Sequence, residues 1–179
     1  MARVRTVNIT NGVPDSGTGD VPTLDNFISE APVSAAFTPG TGSHAAGDSI
    51  GGAATFTGVG ISGKMVMICA ARLTVSSNTV PTSAFRLWMF NATPTVYADD
   101  AVFGVLVADL TKYVGVIDLG TPVLSGVSGT ATISSVFQPG LAFPVKLVDT
   151  TIVAYLTNAT AYAPVAQAHT VTLFTYPLS

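Results

Sequence analysis

From about residue 48 onward, apolar and polar positions alternate in short runs, separated by Gly, Pro, Asn, Asp or Ser. Alternation with period two marks a strand, because successive side chains leave opposite faces. Asp48 to Gly52 leads into Ala53 to Thr57, and Gly58 to Gly63 reads as a flexible connector. Lys64 to Ser76 is the longest strand candidate, with Met65, Met67, Cys69, Ala71 and Leu73 on one face and Val66, Ile68, Ala70 and Arg72 on the other. In the stretch Phe85 to Phe90, Phe85, Leu87 and Met89 share one face and Arg86, Trp88 and Phe90 the other. Strands apolar on both faces are expected to be covered on both. The pattern therefore puts Phe85, Leu87 and Met89 in the core and turns Arg86, Trp88 and Phe90 toward a second layer or a partner.

Further strands are expected at about 102–108, 112–119, 130–137, 143–147, 150–157 and 168–176, with Ser125 to Gly129 among the turns between them. Roughly nine short strands with a turn signal every 8–12 residues predict an all-β sandwich, jelly roll or barrel. No segment of about 12 residues sustains a 3.6-residue period, which excludes α/β folds. Residues 1–45 differ: Pro14, Pro22, Pro32 and Pro39, with Gly12, Gly17, Gly19, Gly40 and Gly42, break any long element. They predict an extended arm or a set of loops ahead of a β domain over 46–179. One helical turn is expected in the arm, at 23–30, capped by Thr23 and with Leu24, Phe27 and Ile28 on one face.

Composition narrows the function classes. A chain of 179 residues is long enough to bury a core without staples. Charged residues make up only 9%, against about 25% in an ordinary soluble domain. Such a surface suits a protein that covers itself with copies or partners. The net charge of -3 comes without any run of Lys or Arg, so nucleic acid is not an expected partner. No apolar window reaches about 18 residues, so no membrane span is expected either. The N-terminal residues lack the apolar run of a signal peptide, which points to synthesis in a cytoplasm. The single Cys69 cannot form an intrachain disulfide, and its apolar setting reads as a buried structural thiol.

Candidate chemistry is sparse. His44 and His169 are far apart in sequence, and no His or Cys pair has metal-ligand spacing. His44 reads as a loop residue and His169 as the start of a strand. Asp99 and Asp100 are the one adjacent pair of acids, and neighbours on a strand point to opposite faces. Turn or capping bonds to nearby backbone amides are the expected role. No calcium loop and no Gly-x-Ser-x-Gly elbow occurs, and the connector Gly58 to Gly63 lacks the strand-to-helix setting of a phosphate loop. Asn8, Asn91 and Asn158 begin glycosylation-type triplets, which carry little weight without a secretory route. Trp88 and Phe90 could form a sugar-stacking platform, but Arg86 alone does not supply the convergent polar groups. The expected role of Arg86, Trp88 and Phe90 is a layer or subunit interface. No catalytic residue, metal or cofactor is expected.

Phe85 to Pro94, then Ala98-Asp99-Asp100-Ala101-Val102-Phe103, then Tyr113 to Gly120, together resemble a family of small head decoration, or cement, proteins of tailed bacteriophages. The strand at 150–157, the turn Tyr162-Ala163-Pro164 and the terminal strand are similar in kind to that family's ending. The resemblance covers roughly residues 64–176, and Asp100 departs from it by standing where relatives often carry Asn. It implies a jelly-roll-like β-sandwich that binds the outer surface of a capsid, with the major capsid protein and further copies of itself as partners. A homotrimer is the favoured assembly and a homodimer the other. A virion location after assembly in the host cytoplasm follows, and no catalytic residue is implied. The alternative is a receptor- or glycan-binding domain of a phage fibre.

Overall fold

The structure, a computed structural model, describes residues 32–77, 79–128, 131–164 and 168–178. The helical turn expected at 23–30 lies outside them. Ten strands follow in order: β1 (Val33–Phe37), β2 (Ser49–Thr57), β3 (Met65–Ser77), β4 (Phe85–Phe90), β5 (Tyr113–Gly120), β6 (Val123–Ser128), β7 (Ala131–Gln138), β8 (Phe143–Lys146), β9 (Thr151–Asn158) and β10 (His169–Leu178). The only helical element among the described residues is a 3-10 turn, Val107–Asp109.

The strands form two antiparallel sheets packed as a sandwich. One runs β1-β10-β3-β7-β6, with β8 also paired to β3, and the other runs β2-β9-β4-β5. Strands β7 and β8 lie along successive halves of β3: Ala71 to Ser77 pairs with Thr132 to Gln138, and Met65 to Ile68 pairs with Phe143 to Lys146. Counted as one interrupted strand, β7 and β8 complete a first sheet of β1, β10, β3 and β7/β8 opposite β2, β9, β4 and β5. That division of the chain is the jelly-roll plan. Strand β6 stands outside it, as an addition at the edge of the first sheet.

The core lies between the sheets. Phe85, Leu87 and Met89 of β4 are fully buried there with Ile50, Phe56 and Leu156, and the first sheet contributes Phe37, Leu73, Val75, Val171 and Leu173. At about 1.5–3 kcal/mol for each large side chain, this burial is the main term holding the sandwich closed. The expectation for the inward face of β4 therefore holds.

Five expectations need correction. Strict alternation fails in β3, where Val66 and Ile68 point inward, Ala70 and Ala71 are both buried, and Leu73 and Val75 then point inward. The cause is a bulge. Phe174 pairs with Ala70 and Thr175 with Ile68, so Cys69 has no opposite number and the phase shifts by one residue. The bulge also leaves Cys69 only partly covered instead of buried, with its carbonyl accepting the Leu141 N–H at 2.8 Å. Residues 102–108 form no strand; they make one bridge, Asp48 to Val102, and lead into the 3-10 turn. Residues 123–128, expected to include a turn, are the added strand β6. Lastly, residues 33–37, placed in the arm by their Pro and Gly neighbours, pair with β10 from Val33 opposite Leu173 to Phe37 opposite His169.

No helix among the described residues is long and apolar enough to cross a membrane.

Candidate functional site

Arg86, Trp88 and Phe90 project from the outer face of the second sheet, alongside their cross-strand partners Thr157, Tyr155 and Val153 on β9. What covers this face is the chain's own loop between β4 and β5. Trp88 packs at a ring-centroid distance of 5.5 Å from Phe103, and Phe90 at 5.6 Å from Tyr113. Tyr155, fully buried, stacks on Phe103 at 4.9 Å and meets Tyr97 edge to face at 5.7 Å. Its hydroxyl donates to the Thr95 carbonyl and accepts the Tyr97 N–H, both at 3.1 Å. Aromatic rings arranged edge to face or offset form a second, smaller core outside the sandwich. Asp109 anchors the loop's far end: it accepts the Thr95 N–H at 3.0 Å and pairs with Lys112 at 3.0 Å, and these two hold its carboxyl below the usual carboxylate range.

The three residues expected to act together are thus separated by their surroundings. Phe90 is buried at 1% exposure, against Tyr113 of β5 and Tyr155 of β9. Trp88 is partly covered. Arg86 is largely exposed, with a loose ion pair to Asp118 at 3.8 Å. Arg86 and Trp88 line a pocket of about 270 Å³ together with Phe103, Thr157, Asn158 and the backbone around Ala46, Gly47 and Ala159. Trp88 Nε1 donates to Thr157 Oγ1 at 3.0 Å, which fixes the indole against the β9 side of the pocket.

Asn158 is nearly fully buried at the pocket. Its Nδ2 donates to the carbonyls of Ala45 and Thr160 at 2.9 and 2.8 Å, while its Oδ1 has no hydrogen-bonding partner among the described residues. An amide so enclosed is not a glycosylation acceptor. Thr157 did not stand out in the sequence and Asn158 did so only as the start of a glycosylation-type triplet, because their side chains meet Arg86 and Trp88 only through the register between β4 and β9.

A second polar knot ties the loop to the sandwich. Asp99 Oδ2 accepts the Gly40 N–H at 2.7 Å and its Oδ1 accepts the Gly51 N–H at 2.6 Å, with His44 Nε2 at 2.8 Å. Burial pushes this carboxyl up, but the two amides and the imidazole together hold it below the ordinary aspartate value. Asp99 bonds backbone amides, as expected, but they are distant in sequence instead of nearby, so it acts as a tertiary clasp and not as a local cap. Asp100 completes the turn with a φ of 62°. His44 is fully buried rather than in an open loop, and its backbone bridges to Tyr162. The Tyr162 hydroxyl lies 3.1 Å from His169 Nε2. Burial pushes that phenol up to about 12. Among the described residues, no three His, Cys, Asp or Glu side chains are placed to hold a metal ion.

Two groups of exposed apolar side chains bear on association. At the free edge of the first sheet, Val123, Leu124 and Val127 of β6 are 65%, 61% and 75% exposed. On the loop over the second sheet, Val96, Val102, Val107 and Leu110 are also exposed. Comparison with family models, with curated proteins and with solved structures finds no match.

Proposed function

We propose that this chain is a structural virion protein that binds the outer surface of a bacteriophage capsid and bridges its capsomers. The partners are the major capsid protein and further copies of the chain, in a homotrimer or, as the other closed arrangement, a homodimer. The observation that carries the reading is β6. Its sequence Val123-Leu124-Ser125-Gly126-Val127-Ser128 holds no charge and lies outside the jelly-roll plan, and among the described strands it pairs only with β7. Isolated folds usually protect such an edge with Lys, Pro or a covering segment; β6 carries no Lys or Pro, and among the described strands none pairs on its outer side. Apolar edges of this kind are consumed by association.

The exposed apolar residues of the 95–110 loop add a second contact region on the other sheet, as a protein bridging two neighbours requires. On a shell with many equivalent positions, modest contacts sum through avidity. A ligand that binds the assembled shell and not free capsomers stabilises the shell by mass action. The test is co-sedimentation of the purified chain with empty expanded capsids of a tailed phage whose genome encodes it. Saturable binding at a fixed ratio to capsomers, with a raised capsid melting temperature, is the expected result. Recovery of all the protein in the supernatant would overturn the reading.

A further inference from the structure

We propose that the pocket beside Trp88 binds one ring of a neutral glycan. The inference is independent of the capsid reading, since it uses the outer face of the second sheet and not the β6 edge.

Three features converge there. At about 270 Å³, the pocket falls just under the roughly 300–1,000 Å³ typical of sites that enclose a drug-sized molecule. It therefore suits a single pyranose better than a larger ligand. Its walls combine aromatic surface, from Trp88 and Phe103, with polar groups. The Arg86 guanidinium offers donors only. Thr157 Oγ1 accepts from Trp88 Nε1 and keeps its own O–H to donate. Asn158 Oδ1 is unpartnered among the described residues but has no accessible surface, so it lies beneath the pocket and does not take part in binding. Sugar hydroxyls both donate and accept, and the C–H face of a pyranose packs on an indole.

Charge decides between a neutral ligand and an acidic one. Arg86 is already shared with Asp118, 3.8 Å away, and the chain carries a net charge of -3. An anion would be drawn to Arg86 and repelled by Asp118, whereas a vicinal diol can use donor and acceptor together. An apolar ligand would cover the Arg86 guanidinium without offering its donors an acceptor.

Trp88 is the only tryptophan in the chain, so intrinsic fluorescence reports on this pocket alone. The full chain is titrated with the methyl glycosides of glucose, galactose, mannose and N-acetylglucosamine, with methyl glucuronide as the charged counterpart and glycerol as the polyol control. Saturation-transfer NMR on the same samples gives a second readout. The expected result is a saturable change in Trp88 emission with at least one neutral glycoside, at a Kd on the order of millimolar for a single ring. Glycerol should give no such change. Arg86→Gln, a substitution at a largely exposed side chain, should weaken that glycoside about tenfold or more, as expected for one charge-assisted hydrogen bond. Absence of saturable binding by any neutral glycoside, tighter binding of the glucuronide, or unchanged affinity in Arg86→Gln would each overturn the proposal.

Discussion

Asp99 and His44 meet side chain to side chain at 2.8 Å although 55 positions separate them in the chain. The contact closes a clasp, because the same carboxylate also receives the N–H groups of Gly40 and Gly51. It holds the loop after β4, the start of β2 and the segment after β1 at one end of the sandwich. Asp99→Asn keeps the shape but replaces one accepting oxygen with a donor, so one N–H loses its partner. Losing a charge-assisted bond of this kind costs about 1.5–3 kcal/mol, less here because Asp99 is partly exposed. The sign with pH follows from the lowered carboxyl of Asp99. A group whose pKa is depressed on folding contributes its stability above the unfolded value, about 3.9, and loses it as pH falls through the lower folded value. Urea melts from pH 7 down to pH 2 should show this loss in the native chain and a shallower slope in Asp99→Asn.

Gly51 illustrates a constraint of another kind. Its φ is +73°, and a Cβ there would lie 2.4 Å from the Thr38 amide nitrogen and 2.7 Å from the Phe37 carbonyl carbon. Those are backbone atoms, which cannot swing aside. The position sits where the register between β2 and β9 shifts, between Ile50 and Ala53. Gly51→Ala combines a strained backbone, about 1–3 kcal/mol, with overpacking of about 1–3 kcal/mol. Gly58 has a φ of +70° but open space around its would-be Cβ, so Gly58→Ala should show the backbone cost alone. Thermal melts of the two variants side by side test the difference.

How much of this was legible in the sequence depends on what each feature requires. The inward set Phe85, Leu87 and Met89 could be read directly, because a period of two over six residues leaves little choice. The β3 pattern could not, since its apolar residues fit either phase and only the pairing with β10 reveals the bulge at Cys69. Strand β1 was hidden by Pro32 and Pro39, which lie just outside it and punctuate the chain without entering the ladder. The loop over Trp88 resembled a strand at 102–108 because Val102, Phe103, Val105, Leu106 and Val107 make it a β-forming apolar run, although Val102 and Val107 are exposed. As for the pocket, Arg86 and Trp88 stood out by residue type. Thr157 did not, and Asn158 was noticed only for its glycosylation-type triplet, because a strand register is a long-range relation that no local pattern encodes.

Leu87 is fully buried in the middle of β4, with the first sheet facing it across the core. Leu87→Ala removes that side chain and leaves a cavity that neighbouring strands cannot fill. A loss of about 2–5 kcal/mol is expected from denaturant midpoints, with the m-value unchanged. Val116→Ala on the neighbouring β5, at a partly solvent-facing position, should change stability by no more than about 1 kcal/mol.

Tyr162 gives the alkaline counterpart of Asp99. Its phenol is pushed up to about 12 by burial, against about 10 in the unfolded chain. The folded state therefore holds this proton more tightly. Stability should be level below pH 10 and fall as pH rises from about 10 through about 12. Tyr162→Phe removes the ionisable group, so its stability should decline less steeply over that window. Following unfolding by circular dichroism and ionisation by phenolate absorbance in both proteins separates this residue from the other tyrosines.

Cys69 sits at the bulge with its thiol pushed up by burial. Only the thiolate is nucleophilic, so alkylation at neutral pH should be slower than that of a small free thiol. Adding denaturant should bring the rate up to the free value. Equal rates in the folded and denatured chain would show that the bulge leaves the sulfur open.

Val127 offers the most direct test of the free edge. Its side chain is 75% exposed on β6, where no described strand pairs on the outer side. Lys at such a position blocks edge pairing without disturbing the core, because its charge cannot be buried against an apolar neighbour. Val127→Lys should therefore leave the thermal midpoint of the subunit nearly unchanged, within about 0.5 kcal/mol. If copies meet through β6, light scattering after size exclusion should show the wild-type chain as an oligomer and the variant as a monomer. Loss of capsid co-sedimentation in the same variant would place the shell contact on β6 as well. Retention of shell binding by a monomeric Val127→Lys would assign the shell contact to the exposed 95–110 loop instead, and substituting Val107 with Lys should then abolish it.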